Sequence, residues 1–321
     1  MDMSETEITF TSGDVTLYGS LRVPAAGDTP VPAVLLLAGS GPTDRNGDSA
    51  LLPGPIGTLR HLADILEING FASLRYDKLG SGVTGLGPYE VADVADLGFS
   101  TFIDAARDGL RFLADQPGVD PERVYVVGHS EGALIALSLA HAGEPVAGLA
   151  LLEPLAVRLL DLLTAQIDAQ LDAVVAAGQL AVQVADELRV ALTGAVESLR
   201  ADGTLSDRLP EPLRNAGLVP TNAKALAEED ALDPRMLAAQ IDSALPVLTS
   251  VSDKDIQLRV EDVDALDDAL VHTKLTSLRL RNANHVLKDI GDQQSTGADY
   301  IADLPYSSEF TDGFGAWLRG L

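Results

Sequence analysis

Apolar and polar positions change rhythm twice along this chain. Near the start, residues Glu7–Thr11 and Val15–Val23 alternate apolar with polar around Ser12-Gly13-Asp14. A period of two on both sides of a Gly-Asp turn predicts an antiparallel hairpin. Short, nearly continuous apolar runs follow: Val31–Ala38, Arg123–Val127, Val146–Leu152, Leu245–Val251 and Leu275–Leu280. Runs of that length, rich in Val and Leu, suit strands buried on both faces. Helical stretches such as Ala133–Ala140 stand between them. The alternation predicts an α/β architecture, a mostly parallel central sheet with helices on both faces.

Between Pro154 and Ala244 the period lengthens. Leu159, Leu160, Leu163, Ile167, Leu171, Val174 and Val175 recur at helical spacing. Leu180, Val184, Leu188, Leu192, Val196 and Leu199 form a second such run, and Pro210, Pro212 and Pro220 break a looser stretch. The expected organisation is one α/β domain, residues 1–153 and 245–321, with a helical insertion over 154–244. The stripes are expected to bury an inner face as a cap. A bundle packed on itself, or on the second subunit of a homodimer, is the competing arrangement.

One turn carries most of the chemistry. Gly128-His129-Ser130-Glu131-Gly132 joins the run Arg123–Val127 to the helix Ala133–Ala140. A G-x-S-x-G between strand and helix forces its serine into unfavourable backbone angles, and a side chain at either flanking glycine would collide with neighbours. The hydroxyl is lifted to the helix N-terminus, where partial positive charge favours a developing anion. Ser130 is the candidate nucleophile. The Glu131 N–H then supplies one oxyanion donor. The second is expected from Ser40, in the glycine-rich loop Gly39-Ser40-Gly41-Pro42 after the run Val31–Ala38. Such a loop can also cradle phosphate, but no G-x-x-x-x-G-K-[ST] is present.

A serine hydroxyl needs a base, and the base needs an orienting acid. Of the five histidines, His61 and His272 lie in helical patterns, His141 ends the helix after the elbow, and His129 is too close to turn back on Ser130. His285 follows the last strand-like run in a loop, where a base belongs. The acid is expected after the run Leu245–Val251. Asp255 is preferred over Asp253 because the apolar Ile256 behind it is expected to pack inward; Glu153, after Val146–Leu152, is the poorer choice. The order Ser130, Asp255, His285 is one of three known triad orders, and it excludes the other two.

With these residues the chain resembles the α/β-hydrolase superfamily, and within it bacterial serine esterases related to dienelactone-hydrolase and serine-aminopeptidase-like families. The resemblance rests on Leu37–Gly47, Leu74–Gly82, Gly128–Gly132, Pro246–Leu248 with Asp255–Gln257, and Asn284–Lys288. It implies hydrolysis of a small-molecule ester through an acyl-enzyme, with no cofactor. Leu79 stands where such chains usually carry Arg, and Ser252 where a glycine often opens the acid turn. Polar groups of Arg75-Tyr76-Asp77 are expected to tie neighbouring loops together, and Asp44-Arg45 to hold the oxyanion loop through an ion pair, with Arg45 also a candidate contact for a substrate carboxylate.

Composition narrows the partners. There are no cysteines, which excludes disulfides, thiol catalysis and cysteine-bound zinc, and neither H-E-x-x-H nor a histidine pair at ligand spacing points to a metal. A formal charge of −26 disfavours nucleic acid and anionic membranes. Lysine is scarce, 5 residues against 17 arginines. The acidic first residues lack the pattern of a signal peptide and no apolar run is long enough to span a bilayer, so a cytoplasmic protein is expected. The function predicted is a serine carboxylesterase for small to medium acyl esters. Thioesterase and short-peptide or aminoacyl hydrolysis remain open beside it, and a non-catalytic ligand-binding protein is the contrasting class.

Overall fold

The tight turn at Gly13-Asp14 folds β1 (Met3–Ser12) back on β2 (Val15–Pro24), pairing Ser12 with Val15 and Met3 with Pro24. This computed structural model describes residues 3–24 and 29–321. Six further strands follow among the described residues: β3 (Val31–Leu37), β4 (Ala72–Tyr76), β5 (Val119–His129), β6 (Leu149–Leu152), β7 (Pro246–Ser252) and β8 (Lys274–Leu280). They form one sheet in the order β1-β2-β4-β3-β5-β6-β7-β8. The hairpin joins it antiparallel through β2 and β4, and every pairing from β4 to β8 is parallel. The predicted hairpin and all five apolar runs are strands of this sheet.

Both faces are covered, which explains why the central strands read as unbroken apolar runs. Val34 and Leu36 of β3 pack with Leu59, Leu62 and Leu66 of α1 (Thr58–Ile68). Phe310, Phe314 and Trp317, from a C-terminal helix, complete that layer. Leu35 points to the other face, where Gly109 of α2 (Ser100–Ala114) leaves room for it and for Phe10. Leu59, Leu62 and Leu66 are each at most 1% exposed, and full burial of one leucine contributes roughly 1.5–3 kcal/mol. The helix after the elbow, α3 (Glu131–His141), is buried along most of its length.

The chain divides into two compact units. The first comprises Met1–Pro88, Phe102–Ala156 and Pro234–Leu321 and contains the sheet. The second comprises Tyr89–Thr101 and Val157–Asp233. Its main helices are α4 (Leu159–Ala176) and α5 (Val182–Asp202), the two runs of helical spacing read from the sequence. Their stripes meet one another: Leu160, Leu171, Leu188, Leu192 and Leu199 form a core with Leu213 and Leu218. The apolar face expected to point inward as a pocket wall is therefore spent largely inside the unit. Asp230 is buried there and held by Arg158 at 2.6 Å, Arg200 at 2.9 Å and the Leu160 N–H at 2.9 Å. Tyr89–Thr101 joins this unit through polar bonds, with Lys224 donating to the Asp96 carbonyl at 2.7 Å and Glu228 accepting from Ser100. Among the described residues no helix is long and apolar enough to cross a membrane.

At the elbow between β5 and α3 three stretches of backbone pass very close together. A Cβ on Gly128 would lie 2.1 Å from the Gly132 carbonyl oxygen, and one on Gly132 2.5 Å from the Leu37 carbonyl oxygen. Backbone cannot yield as a flexible side chain can. Gly128→Ala is therefore expected to cost about 3 kcal/mol of stability, read by urea unfolding; an unchanged midpoint would show that the crossing has slack.

Candidate active site

Ser130 sits where β5 ends and α3 begins, with φ 56° and ψ −120°. A non-glycine residue in this region costs on the order of 1–3 kcal/mol, so surrounding bonds must enforce it. They do: the Ser130 N–H donates to Leu152 at 2.9 Å, and its carbonyl accepts from Ala133 at 3.0 Å and Leu155 at 3.2 Å. The Gly39 backbone comes close enough that a Cβ there would meet the Ser130 Cβ at 3.1 Å. The glycine-rich loop is thus brought beside the hydroxyl. Among the described residues neither the Ser40 N–H nor the Glu131 N–H has an acceptor.

His285 lies in the loop after β8 and is 4% exposed. Its Nδ1–H donates to Asp255 Oδ2 at 2.7 Å. The other oxygen of Asp255 accepts the N–H groups of Gln257 at 2.7 Å and Leu258 at 3.2 Å, which fixes the carboxylate in its own loop. Asp253 is exposed and makes no such contact. The reason first given for Asp255 needs correction, however. Ile256 is 52% exposed rather than packed inward; the turn is closed instead by the aspartate's own hydrogen bonds. The histidine loop is braced by Asn284, which accepts from Lys288 N at 2.9 Å and donates to Asp299 at 2.8 Å.

Two neighbours of the Asp255–His285 pair were not assigned this part by sequence. His129 reaches the His285 carbonyl with Nε2 at 2.8 Å. Burial, then the nearby His285, pull its pKa down to about 4, so it is neutral and donates that bond. Glu153, weighed above as a poorer acid, is fully buried at the end of β6 with φ 43°. One carboxyl oxygen accepts the Ser252 N–H at 3.2 Å, while the other receives no donor. Burial, then the Asp255 charge and hydrogen bond, raise its pKa well above the ordinary value. Glu153 is thus a neutral acid that donates to Asp255. Burial works to raise the Asp255 carboxyl as well, but the charge and hydrogen bond of His285 outweigh it and leave that group lowered and ionised. A buried acid beside an aspartate of the triad type leaves no signal in the local sequence, because strand β6 carries it in from a hundred residues away.

The polar loops behave as expected, with changed partners. Arg45 pairs with Asp77 at 3.1 Å and also with Glu7, while Asp44 caps its own turn through the N–H groups of Asn46 and Asp48. Asp77 further accepts from Arg45 N at 2.8 Å and Val83 N at 2.8 Å. That carboxylate, with Leu79 buried beside it, holds the loop without an arginine at that position. The remaining histidines stay outside: His61 stacks on Tyr306, His272 meets the Ile241 carbonyl, and His141 is exposed.

Ser130 and His285 open into the same cavity of about 550 Å³. Leu51, Leu52, Ile56, Leu59 and Val286 give it an apolar wall, and Ser40 lies at its edge. Among the described residues no Asp, Glu, Lys or Arg lines it, and Arg45 belongs to a separate cleft.

Known proteins resemble this chain in sequence over part of its length and in fold. The sequence model of the serine aminopeptidase family matches residues 55–211, which include the elbow but neither Asp255 nor His285. Esterase EstD of Thermotoga maritima is 31% identical over 138 residues, covering 42% of this chain and 30% of that protein. The chain is therefore matched to less than a third of that relative's length. Among solved structures, the Pyrococcus furiosus esterase Pf2001 superposes with a TM-score of 0.59 at 16% identity, over 99% of this chain and 91% of the other. A dienelactone hydrolase-like promiscuous phosphotriesterase from metagenomic libraries gives 0.53 at 17% identity, over 99% and 96%. The shared fold is that of the α/β hydrolases.

The neutral Glu153 has a measurable consequence. A carboxyl whose pKa is raised on folding binds its proton more tightly in the native state, so stability falls as pH rises above the ordinary value of 4.5. Glu153→Gln keeps a donor for Asp255 and carries no proton to lose. Its melting temperature relative to the parent is expected to improve from about pH 5 to about pH 8. Parallel pH profiles would show that Glu153 is not held protonated.

Proposed function

We propose that this chain, an α/β hydrolase by its fold and its likeness to serine aminopeptidases and esterases, is a serine carboxylesterase acting on neutral small to medium acyl esters. The observation that carries the reading is the cavity: an apolar wall, no ionic side chain, and Ser130 and His285 opening into it together. A substrate amine or carboxylate would find no counter-charge there, and burying either unpaired is costly. That favours uncharged acyl esters over aminoacyl substrates.

In this reading Ser130 Oγ attacks the ester carbonyl carbon while His285 Nε2 takes its proton. Asp255 holds Nδ1–H, keeps Nε2 as the acceptor and stabilises the imidazolium. The Ser40 and Glu131 N–H groups receive the negative charge that develops on the carbonyl oxygen. Collapse of the tetrahedral intermediate breaks the C–O bond, and His285 returns the proton to the departing alcohol. Water then attacks the acyl-enzyme, giving its proton to His285, and the carboxylic acid leaves as Ser130 regains its hydrogen. Ser130→Ala, folded by circular dichroism, should hydrolyse p-nitrophenyl butyrate with kcat reduced about 10⁴-fold or more, and Asp255→Asn by a similar factor. Near-native rates in the Ser130 variant would refute the assignment.

We also propose that the helical insertion expected over 154–244, most of which belongs to the second unit, is a cap that sets acyl-chain preference. Leu163 and Ile167 are only partly buried within its core, so they tolerate enlargement better than Leu171. Tryptophan at either should change the ratio of kcat/KM for long and short acyl esters by about ten-fold. An unchanged ratio in folded variants would assign the unit another role.

A further inference from the structure

Lys78 follows β4, and its side chain is 9% exposed. The ammonium donates to the Gly39 carbonyl at 2.5 Å and meets the Glu131 carboxylate at 3.1 Å. The Phe102 ring lies 5.5 Å from the same nitrogen. Lys78 does not line the cavity, so it is no contact for substrate.

What matters is which carbonyl it holds. The Gly39 oxygen and the Ser40 N–H belong to one peptide group, and a trans peptide carries the two on opposite edges. An ammonium fastened to the oxygen therefore grips that peptide from behind and turns its N–H the other way. It also draws electron density toward the oxygen, which makes the N–H a stronger donor. The second partner of the ammonium is equally telling. Glu131 contributes its backbone N–H to the proposed oxyanion hole and its side chain to Lys78. Both donor residues are thus fastened to a single cation. Because Glu131 neutralises that cation, the arrangement supplies orientation and polarisation rather than net charge.

We infer that Lys78 is a positioning residue for the oxyanion hole: clamped between the Gly39 carbonyl and the Glu131 carboxylate, it aims the Ser40 N–H and fixes its spacing from the Glu131 N–H. The inference rests on the esterase reading above and deepens it. A ground-state ester carbonyl accepts hydrogen bonds weakly and a tetrahedral oxyanion strongly. Loss of the clamp therefore falls on kcat and spares KM.

The test compares Lys78→Met, Lys78→Arg and Glu131→Gln with the parent, using p-nitrophenyl butyrate and a propyl trifluoromethyl ketone, whose adduct with an activated serine carries an oxyanion. Lys78→Met should lose about 10²-fold in kcat per titrated active site with KM within about two-fold, and bind the ketone more weakly by a similar factor. Lys78→Arg should recover most of both, and Glu131→Gln should lose about ten-fold in each. A merely structural tether would lower the melting temperature while leaving kcat per folded site and ketone affinity intact, and that result overturns the inference. Should Lys78→Met fail to fold, an indifferent Glu131→Gln overturns it equally. A parent inert toward both ester and ketone refutes the esterase reading and the clamp with it; an active parent with an unaffected Lys78→Met refutes the clamp alone.

Discussion

Three stretches of backbone converge where β5 turns into α3, and the rest of the site is arranged around that crossing. The carbonyls of β3 lie against Gly132, and Gly132 lies against Gly128, at separations that admit no side chain. The bonds Ser130 makes with Leu152, Ala133 and Leu155 hold the turn despite its positive φ. The same closeness brings the loop after β3 beside the serine. In the proposed mechanism, the nucleophile and the backbone donors that receive its charge would thus be set by one packing constraint rather than by separate devices.

Around that crossing lies a shell of buried polar groups whose protonation states differ although their surroundings are alike. Two carboxyls meet at the ends of β6 and β7, and one ionised group there is favoured over two, because like charges in a poorly hydrated place repel strongly. The ionised one is Asp255, which faces His285; the neutral one is Glu153, which does not. His129 is kept neutral by the same burial and serves as a prop for the His285 backbone. His129 bonds the His285 carbonyl and Asp255 bonds His285, Gln257 and Leu258, while one oxygen of Glu153 is left without a donor.

The sheet was legible because its strands are buried on both faces, so that unbroken apolar runs and a polar hairpin turn mark its members. β4 was the exception. Its run Ala72–Tyr76 includes Ser73 and Arg75, both fully buried, and Arg75 is matched across strands by Glu5 at 3.0 Å. No one-dimensional pattern announces a buried arginine. The strained turn at Ser130 and the hydrogen-bonded pair His285 and Asp255 were readable as structure because each falls at a strand end that the apolar runs mark. Ile256 misled, since the turn it follows is stabilised by hydrogen bonds rather than by an apolar anchor. Glu153, His129 and the attachment of Tyr89–Thr101 to the helical unit depend on contacts between distant segments, and those leave no local trace.

The economy of lysine in this chain reaches beyond the site. Lys78 and Lys288 are both buried with their ammonium groups bonded to backbone carbonyls, Lys288 to Tyr300 and Ala302. That leaves Lys224, Lys254 and Lys274 nearer the solvent. Reagents that couple through lysine amines, such as aldehyde supports or succinimidyl dyes, therefore have few handles on the folded protein. One of them, Lys254, is the immediate neighbour of Asp255. Covalent immobilisation through lysine would tether the molecule at one of three positions, one of them beside Asp255, while supports that engage its abundant carboxylates would spread the attachment over the remaining surface.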